Sequence, residues 1–236
     1  MRTILLSLAV VVAAANSCAS QASRAPAAAP RAETPRLAAR ADSFEVRAAG
    51  RALGWQSARM VPSGSGFRYE ETTSVGPTIQ RTVVELDSAG AVRSVAQRGS
   101  MNGTEMRIDL RYGGGRVSGQ ALTPLSAGKE VAIDQELAAG TVDDNAMQAI
   151  LPTLRWSPSA QWVFPVFSSG KGTVTQQTLR VTGVETVAVP AGEFSAYRAE
   201  LSGGERPVVF WVSAQAPHPV VRIAVPGTPI EFVRIR

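Results

Sequence analysis

Histidine and cysteine, two residue types that often carry catalysis, each occur only once in this 236-residue sequence and lie far apart. His218 is the only histidine, so a Ser–His–acid triad would have to include it. It stands between Pro217 and Pro219 at the start of a predicted strand, where we expect a turn residue instead. One histidine and one cysteine cannot make a usual zinc site. We therefore predict neither a metal ion nor another cofactor.

Two Ser-x-x-Lys matches, Ser126–Lys129 and Ser168–Lys171, resemble the nucleophile motif of penicillin-interacting enzymes. Both have glycine before the lysine and fall in predicted loops. The partner motifs Ser-Asp-Asn and Lys-Thr-Gly are missing from the sequence. We interpret both matches as chance.

Two pairs of adjacent carboxylates, Glu70-Glu71 and Asp143-Asp144, could do acid–base work or bind Ca²⁺. Neighbouring strand residues point to opposite faces, so Glu70 and Glu71 are not expected to share a site. Asp143-Asp144 is better explained as the cap of a short helix. We assign no catalytic residue, and a non-enzymatic protein is favoured.

The only cysteine, Cys18, follows an apolar leader. The apolar run is shorter than the roughly 20 residues of a bilayer-spanning helix, so residues 1–17 are predicted to be a secretory signal peptide. Residues 15–18, Ala-Asn-Ser-Cys, resemble a bacterial lipobox, in which the cysteine is the site of lipid attachment. This resemblance implies membrane anchoring through acylated Cys18. Ordinary cleavage nearby, with Cys18 removed or left as a free thiol, is the alternative.

Residues 18–41 are rich in alanine, proline and arginine and show no apolar periodicity. They are predicted to be a disordered, extended tether. Most of the net charge of +5 comes from the leader and the tether, since residues 42–236 hold 19 basic and 18 acidic residues. A nucleic-acid partner is therefore not expected.

From about residue 42 onward the apolar pattern has a period of two. In residues 105–112 four apolar residues fall on one face and four charged residues on the other, as in a half-buried strand. Asn102-Gly103, just before this stretch, is a strong hairpin signal. The pattern predicts an all-β fold, an antiparallel meander that forms a curved sheet or half-barrel with one short helix.

Fourteen strands are predicted, at residues 44–49, 53–61, 66–74, 78–87, 91–100, 104–112, 115–121, 161–167, 173–182, 184–189, 194–201, 207–213, 219–225 and 229–235. The short helix is predicted after Asp143-Asp144, with apolar residues at helical spacing up to Leu154. Residues 42–236 are predicted to form a single β-rich domain, and a division near residues 122–142 stays open.

Residues 160–235 contain three motifs in a fixed order. A Val-Pro-Ala-Gly-x-Phe segment at 189–194 precedes Phe-Trp-Val at 210–212 and Pro-His-Pro-Val-Val-Arg at 217–222. In this order they resemble the bacterial envelope proteins grouped as domain of unknown function 3108. The resemblance implies an all-β, half-barrel-like envelope protein, similar to lipoprotein-carrier folds. It carries over no catalytic residue, because that family is uncharacterised.

The favoured interpretation is a non-enzymatic envelope lipoprotein whose curved sheet binds an apolar ligand such as a lipid acyl chain. The predicted ligand-binding residues are Trp162, Phe164, Phe210 and Trp211. Phe210 and Trp211 are adjacent, so they must face opposite sides of their strand.

Two other functions stay open. One is a carboxylate-dependent hydrolase acting on envelope glycans, which would need two acids facing one cleft. The other is a structural or assembly protein of the outer membrane. The predicted location is the periplasmic side of the outer membrane, lipid-anchored, with a secreted or soluble periplasmic protein as the alternative. The expected partners are a membrane and a lipid or envelope protein.

Overall fold

A single sheet of 15 strands forms the framework of the molecule. The computed structural model describes residues 37–126 and 128–236. The predicted signal peptide, Cys18 and most of the predicted tether lie outside these residues. Among the described residues, no helix is long and apolar enough to cross a membrane.

The N-terminal half of the sheet is a meander of eight strands. They are β1 (Arg40–Ala48), β2 (Arg51–Ser63), β3 (Gly66–Val75), β4 (Thr78–Leu86), β5 (Val92–Met101), β6 (Thr104–Gly113), β7 (Arg116–Leu122) and β8 (Val131–Glu136). Each pairs antiparallel with the next, so that β8 forms one open edge of the sheet.

The C-terminal half consists of seven strands. They are β9 (Val142–Asp143), β10 (Gln161–Ser168), β11 (Thr173–Val189), β12 (Gly192–Ser202), β13 (Val208–Ser213), β14 (Val220–Ala224) and β15 (Ile230–Arg234). Strand β15 pairs antiparallel with β1 and joins the halves, while β9 runs parallel to β10 at the other open edge. The predicted all-β antiparallel fold is confirmed.

The strands differ from the predicted ones in three places. The two-residue strand β9 lies directly before Asp144, where no strand is predicted. Residues 122–142 contain β8, whose signal is weak because Ile133 is its only buried residue. Residues 173–182 and 184–189 form one strand, β11, with a bulge at Thr182. The bulge turns the side chains over, so that Val181 and Val187 lie in different apolar clusters although they are six residues apart.

A short helical segment, residues 144–153, lies between the two halves. It contains a 3₁₀ turn (Asp144–Ala146), helix α1 (Met147–Ile150) and a second 3₁₀ turn (Leu151–Thr153). The predicted short helix is thus confirmed.

The helical segment contributes to two hydrophobic cores. Leu151 packs into the core of the C-terminal half, whereas Ala149 packs into the core of the N-terminal half. Strand β10 does the same, with Phe164 in the first core and Phe167 in the second. Together the segment and β10 separate the two interiors, and the sheet curves around both.

The ordered part of the chain begins slightly before the predicted boundary at residue 42. Leu37 is buried in the N-terminal core. Arg40 begins β1, and its guanidinium donates to the carbonyl oxygens of Gln148 (3.3 Å) and Ala149 (3.1 Å). These bonds satisfy carbonyl acceptors near the end of α1 and help to order residues 37–41, which the composition alone does not indicate.

The two ends of the sheet carry different turns. We call the upper end the one with the β1–β2, β3–β4, β5–β6 and β14–β15 turns and with the ends of β7, β10 and β12 and the loops 169–172 and 203–207. The lower end is the opposite one. Strand β1 enters the sheet from the lower end, as Arg40 pairs with Met60 near the end of β2.

A third apolar cluster lies on the outer face of the C-terminal half. It contains Val187, Ala196, Val209, Trp211 and Val221. The β11–β12 hairpin reaches back towards β15, where the Ala191 amide donates to the Arg234 carbonyl at 3.1 Å. The Val-Pro-Ala-Gly turn therefore links the β11–β12 hairpin to β15 beside the outer face.

Removing a core side chain of the helical segment should destabilise the protein strongly. Leu151 is fully buried, so Leu151→Ala should lower the free energy of unfolding by about 2–5 kcal/mol. Leu53→Ala is the matched control, because Leu53 is 46% exposed and should cost less than about 0.5 kcal/mol. Urea denaturation monitored by circular dichroism measures both. Equal losses in the two variants would contradict the placement of the segment.

Candidate functional site

A groove opens into the interior of the C-terminal half at the upper end. Its apolar floor is made of core side chains, namely Met147, Val166, Leu201, Val208 and Phe210. Its rim is polar and is made of Asp144, Ser168, Lys171, Thr173, Thr175, Gln177, Glu205 and Arg206. The groove has a volume of about 390 Å³.

The alternation of β11 explains why the groove exists. Thr173, Thr175 and Gln177 line the groove, and two residues further on Leu179 is fully buried in the core. All four lie on one face of the strand, because side chains two residues apart share a face. This face changes from polar at the upper end to apolar deeper inside, so the core stops short of the upper end and leaves a space.

A second opening, the cleft, leads into the N-terminal half. It is lined by Ala121, Ser126, Val131, Ile133, Gly170 and Lys171 and has a volume of about 340 Å³. Lys171 lines both openings, and its ammonium group pairs with the Glu205 carboxylate. The ion pair joins the β10–β11 turn to the β12–β13 turn at the rim of the groove.

A buried carboxylate fixes the start of the helical segment behind this rim. Asp143 is 1% exposed and accepts hydrogen bonds from the hydroxyls of Tyr112 and Ser169. It also accepts one from the backbone amide of Asn145, at 2.8 Å, as the cap of the first turn. Three donors from three parts of the chain thus compensate a buried charge, which would otherwise be costly.

The neighbouring Asp144 lines the groove. Its carboxylate accepts from the side-chain amide of Asn145 at 3.1 Å. The pKa of Asp144 is raised from 3.8 to about 7, mainly because surrounding protein atoms shield the carboxylate from water and secondly because of the negative charge of Asp143. Asp144 is nevertheless exposed on its groove side, so solvent screens part of this effect. A proton on Asp144 would reduce the negative charge at the rim.

The other carboxylate pair does not form one site. Glu70 lies on the outer face and pairs with Arg59 (2.7 Å) and Arg81 (3.1 Å), which lower its pKa. Glu71 points to the inner face and accepts from the Tyr69 hydroxyl at 2.8 Å. Burial raises the pKa of Glu71. The two carboxylates therefore have opposite environments on opposite faces of β3.

The four predicted ligand-binding aromatic residues lie in different places. Phe210 lines the groove, and Phe164 is fully buried in the core behind it. Trp162 lies at the lower end of β10, with its ring centroid 5.1 Å from that of Trp156. Whether any of them binds a ligand stays a prediction.

Trp211 lies on the outer face, opposite to Phe210. Its indole N–H donates to Glu185, and the Arg222 guanidinium lies 4.7 Å from the ring centroid. The outer apolar cluster and these charged neighbours account for its burial. Trp211 therefore does not line the groove.

Sequence reasoning missed most of the rim. Thr173, Thr175 and Gln177 are alternate residues of a predicted strand, so the sequence already indicates that their side chains share one face. Lys171 and Glu205 lie in separate loops, and only the folded chain brings them together.

The remaining candidates for chemistry have structural roles. His218 lies in the β13–β14 turn, where its Nδ1 is 2.9 Å from the Ser213 carbonyl oxygen. Ser126 bonds to the backbone of Thr123 in a 3₁₀ turn. Within residues 37–126 and 128–236, no group of three or more His, Cys, Asp or Glu residues could hold a metal ion.

Comparison with known proteins identifies the family. Residues 43–228 match the model of the family described as Protein of unknown function (DUF3108), which covers most of the chain. The chain belongs to this family, as the carboxy-terminal motifs predict. No curated protein matches the sequence.

One solved structure aligns with most of the chain. It is the crystal structure of "a putative exported protein with YmcC-like fold" from Bacteroides fragilis, with 12% sequence identity. The alignment covers 83% of this chain and 93% of that chain, with a TM-score of 0.28. A TM-score this low does not establish a common fold.

Removing the Tyr112 hydroxyl should show how much the bonds to Asp143 stabilise the fold. Tyr112→Phe removes one donor to a buried charge and should lower the free energy of unfolding by about 1.5–3 kcal/mol. Tyr197→Phe is the control, because the Tyr197 hydroxyl has no hydrogen-bond partner within the described residues and its loss should cost less than about 0.5 kcal/mol. Guanidinium denaturation of both variants gives the comparison. An unchanged midpoint for Tyr112→Phe would refute this role of Asp143.

The raised pKa of Asp144 predicts a dependence of stability on pH. A carboxyl group with a higher pKa in the folded state binds protons more tightly when folded, so stability falls as pH rises from 3.8 to about 7. Asp144→Asn should reduce this fall, and the part due to Glu71 should remain.

Thermal unfolding between pH 4 and pH 8 measures this slope. The control is Glu136→Gln, because the Glu136 side chain is 91% exposed and its removal should leave the slope unchanged. A slope that is equally steep in Asp144→Asn and in the original chain would show that Asp144 does not titrate in this way.

Proposed function

We propose that this DUF3108 protein is a non-enzymatic envelope lipoprotein that binds the acyl chain of a lipid in the groove at the upper end. The observation that carries the proposal is the apolar floor of the groove. It is formed by core side chains of three strands and of α1, and it is open to solvent at one end.

The size and the chemistry of the groove suit such a ligand. Volumes of 390 and 340 Å³ for the groove and the cleft lie within the range of about 300–1,000 Å³ that is usual for small-molecule sites. An alkyl chain gains about 0.8 kcal/mol for each methylene group that it buries. Because the floor consists of Met, Val, Leu and Phe side chains, its complementary ligand is a hydrocarbon rather than a glycan.

The rim supports a ligand with a polar head. Lys171 and Arg206 place positive charge beside the groove, and Glu205 and Asp144 place negative charge there. An amphipathic lipid would keep its head among these side chains while its acyl chain covers the floor. Lys171 and Glu205 are both exposed to solvent, so their ion pair could open and the two side chains could contact the polar head of the lipid instead.

The predicted lipobox supports the envelope location. Acylation of Cys18 would hold the protein at a membrane, and no aspartate follows Cys18 as a retention signal, so we propose the periplasmic side of the outer membrane. The protein would then act where envelope lipids are present.

The other two functions receive less support. A hydrolase needs two free carboxylates across one cleft, and here Glu205 is paired with Lys171 at the rim that it shares with Asp144. A purely structural function is consistent with the well-filled cores, but it gives the groove no role. The experiment below separates this structural function from lipid binding.

A bulky side chain in the groove should prevent acyl-chain binding. The test uses the full chain with Cys18→Ser, so that a covalent anchor cannot be mistaken for a bound lipid. Thr175→Trp fills the groove from an exposed position of β11, which tolerates an aromatic residue. The matched control is Thr186→Trp, at an exposed position of the same strand that does not line the groove.

Native mass spectrometry of the protein from a bacterial periplasm measures the bound lipid. We expect a stoichiometric acyl-chain adduct in the Cys18→Ser chain and in Thr186→Trp, and loss of most of it in Thr175→Trp. An apo mass that takes up no added lipid would contradict lipid binding and favour the structural function. An adduct retained in Thr175→Trp would contradict this groove as its site.

A further inference from the structure

Exposed large apolar side chains are concentrated at the upper end of the sheet. Eight such side chains occur within the described residues, and six of them lie at the upper ends of their strands: Leu53, Trp55, Ile79, Met101, Val131 and Ile230. The other two are Val184 and Ile235. Val131 borders the cleft, and the remaining five lie beside hairpin turns.

Three of these residues form one patch on the outer face. The register pairs Trp55 with Ser74 and Ser74 with Ile79, so Trp55 and Ile79 lie two strands apart on the same face. Strands are spaced about 4.8 Å apart, so about 10 Å separates them, with the small Ser74 between. Trp55 is 46% and Ile79 52% exposed, and Leu53 lies two residues before Trp55.

The turns beside this patch carry no charge. Four neighbouring hairpins meet at this edge, with turns at Ala49-Gly50, Gly76-Pro77, Asn102-Gly103 and residues 225–229. The last of these reads Val-Pro-Gly-Thr-Pro. Charged residues border the patch, since Glu45 lies opposite Trp55 and pairs with Arg47, and the exposed Arg51 begins β2. The uncharged turn residues can enter the boundary between head groups and acyl chains while these charged side chains stay among the head groups.

The lower end carries several exposed ion pairs, with Arg93 and Asp87 2.6 Å apart and Arg68 and Glu85 also 2.6 Å apart. A further pair joins Arg116 to Asp134. Charged side chains in these positions keep the lower end in water. The exposed ion pairs Lys171–Glu205 and Arg107–Glu130 of the upper end lie beside the groove and before β8, away from the patch.

We infer that the upper edge, consisting of Leu53, Trp55, Ile79, Met101, Ile230 and the four uncharged turns, docks onto the surface of a lipid bilayer. Exposed apolar patches of this kind mark interaction surfaces. Tryptophan with neighbouring aliphatic side chains is typical of surfaces that lie in the membrane interface. The occupant is therefore a bilayer rather than a second protein.

The path of the chain permits this orientation. Strand β1 enters at the lower end, and Leu37 follows Cys18 by 19 positions along the chain. Fully extended, these 19 steps of the chain would reach at most about 65 Å, about twice the 33 Å that a ten-residue strand spans. A chain anchored through Cys18 could therefore place its upper edge on the same membrane. This step depends on the lipid anchor proposed above, whereas the surface itself does not.

Docking at the upper edge would bring the groove to the membrane. The groove and the cleft open at the same end as the apolar turns. An acyl chain could then pass between the bilayer and the groove with little exposure to water. The inference thus deepens the proposed lipid-binding function.

The test uses the full chain with Cys18→Ser, which has no other cysteine. Ile79→Cys or Ile235→Cys is added in this background and labelled with an environment-sensitive fluorophore. The two positions are 52% and 44% exposed, but only Ile79 lies on the upper edge. The probe is a vesicle of phosphatidylethanolamine and phosphatidylglycerol that carries nitroxide-labelled acyl chains.

We expect a blue shift and nitroxide quenching for the label at position 79 and neither for the label at position 235. Leu53→Glu together with Trp55→Glu should weaken vesicle binding of the chain labelled at position 79 by about tenfold, or about 1.4 kcal/mol. Val184→Glu together with Thr186→Glu, at exposed positions of β11, should leave it unchanged.

Two results would overturn the inference: no spectral change at position 79, or equal changes at both positions. Neither result bears on the groove, because the lipid adduct is measured separately on the unlabelled chain. Loss of the adduct with docking retained would instead refute the lipid-binding function alone.

Discussion

The arrangement of the two halves depends on one buried carboxylate. Asp143 ends the short strand β9 and begins the helical segment, and it receives hydroxyl donors from Tyr112 on β6 and from Ser169 after β10. Removal of a charge from water is tolerated only when donors replace the lost solvation. The network therefore requires β6, β10 and the helical segment to meet at one point, and this point joins the N-terminal and C-terminal interiors.

The groove is a consequence of this junction. The segment fixed by Asp143 sends Leu151 into one core and Ala149 into the other, so most of both interiors is filled. Near the upper end the segment contributes Asp144 and β11 contributes threonines, and the apolar packing ends there. A space remains with an apolar floor and a polar rim, which is the arrangement that an amphipathic ligand complements.

Much of the fold could be predicted from the sequence, because alternation over whole strands is a local signal. The strands at 104–112 and 207–213 and the helix cap at Asp143 illustrate this. Strand β8 and the bulge at Thr182 could not be predicted, since an edge strand buries little and a bulge depends on the neighbouring strand. The groove was beyond prediction because its rim joins Lys171 and Glu205 across two loops.

The aromatic residues also show what the sequence could not predict. Adjacent Phe210 and Trp211 had to face opposite ways, but the sequence does not indicate that the β11–β12 hairpin covers the outer face. The hairpin provides Trp211 with the acceptor Glu185 and apolar neighbours. An aromatic residue that suggests a ligand site in the sequence can therefore be explained by a second layer of packing.

The most direct test of lipid binding in the groove is to locate a bound acyl chain by nuclear magnetic resonance. Stearic acid with a nitroxide near its methyl end would be added to the Cys18→Ser chain with labelled methyl groups. The account predicts stronger broadening of the methyl signals of Met147, Val166, Leu201 and Val208 than of those of the outer residues Val187, Val209 and Val221. Broadening confined to the outer residues, or no broadening at all, would contradict it.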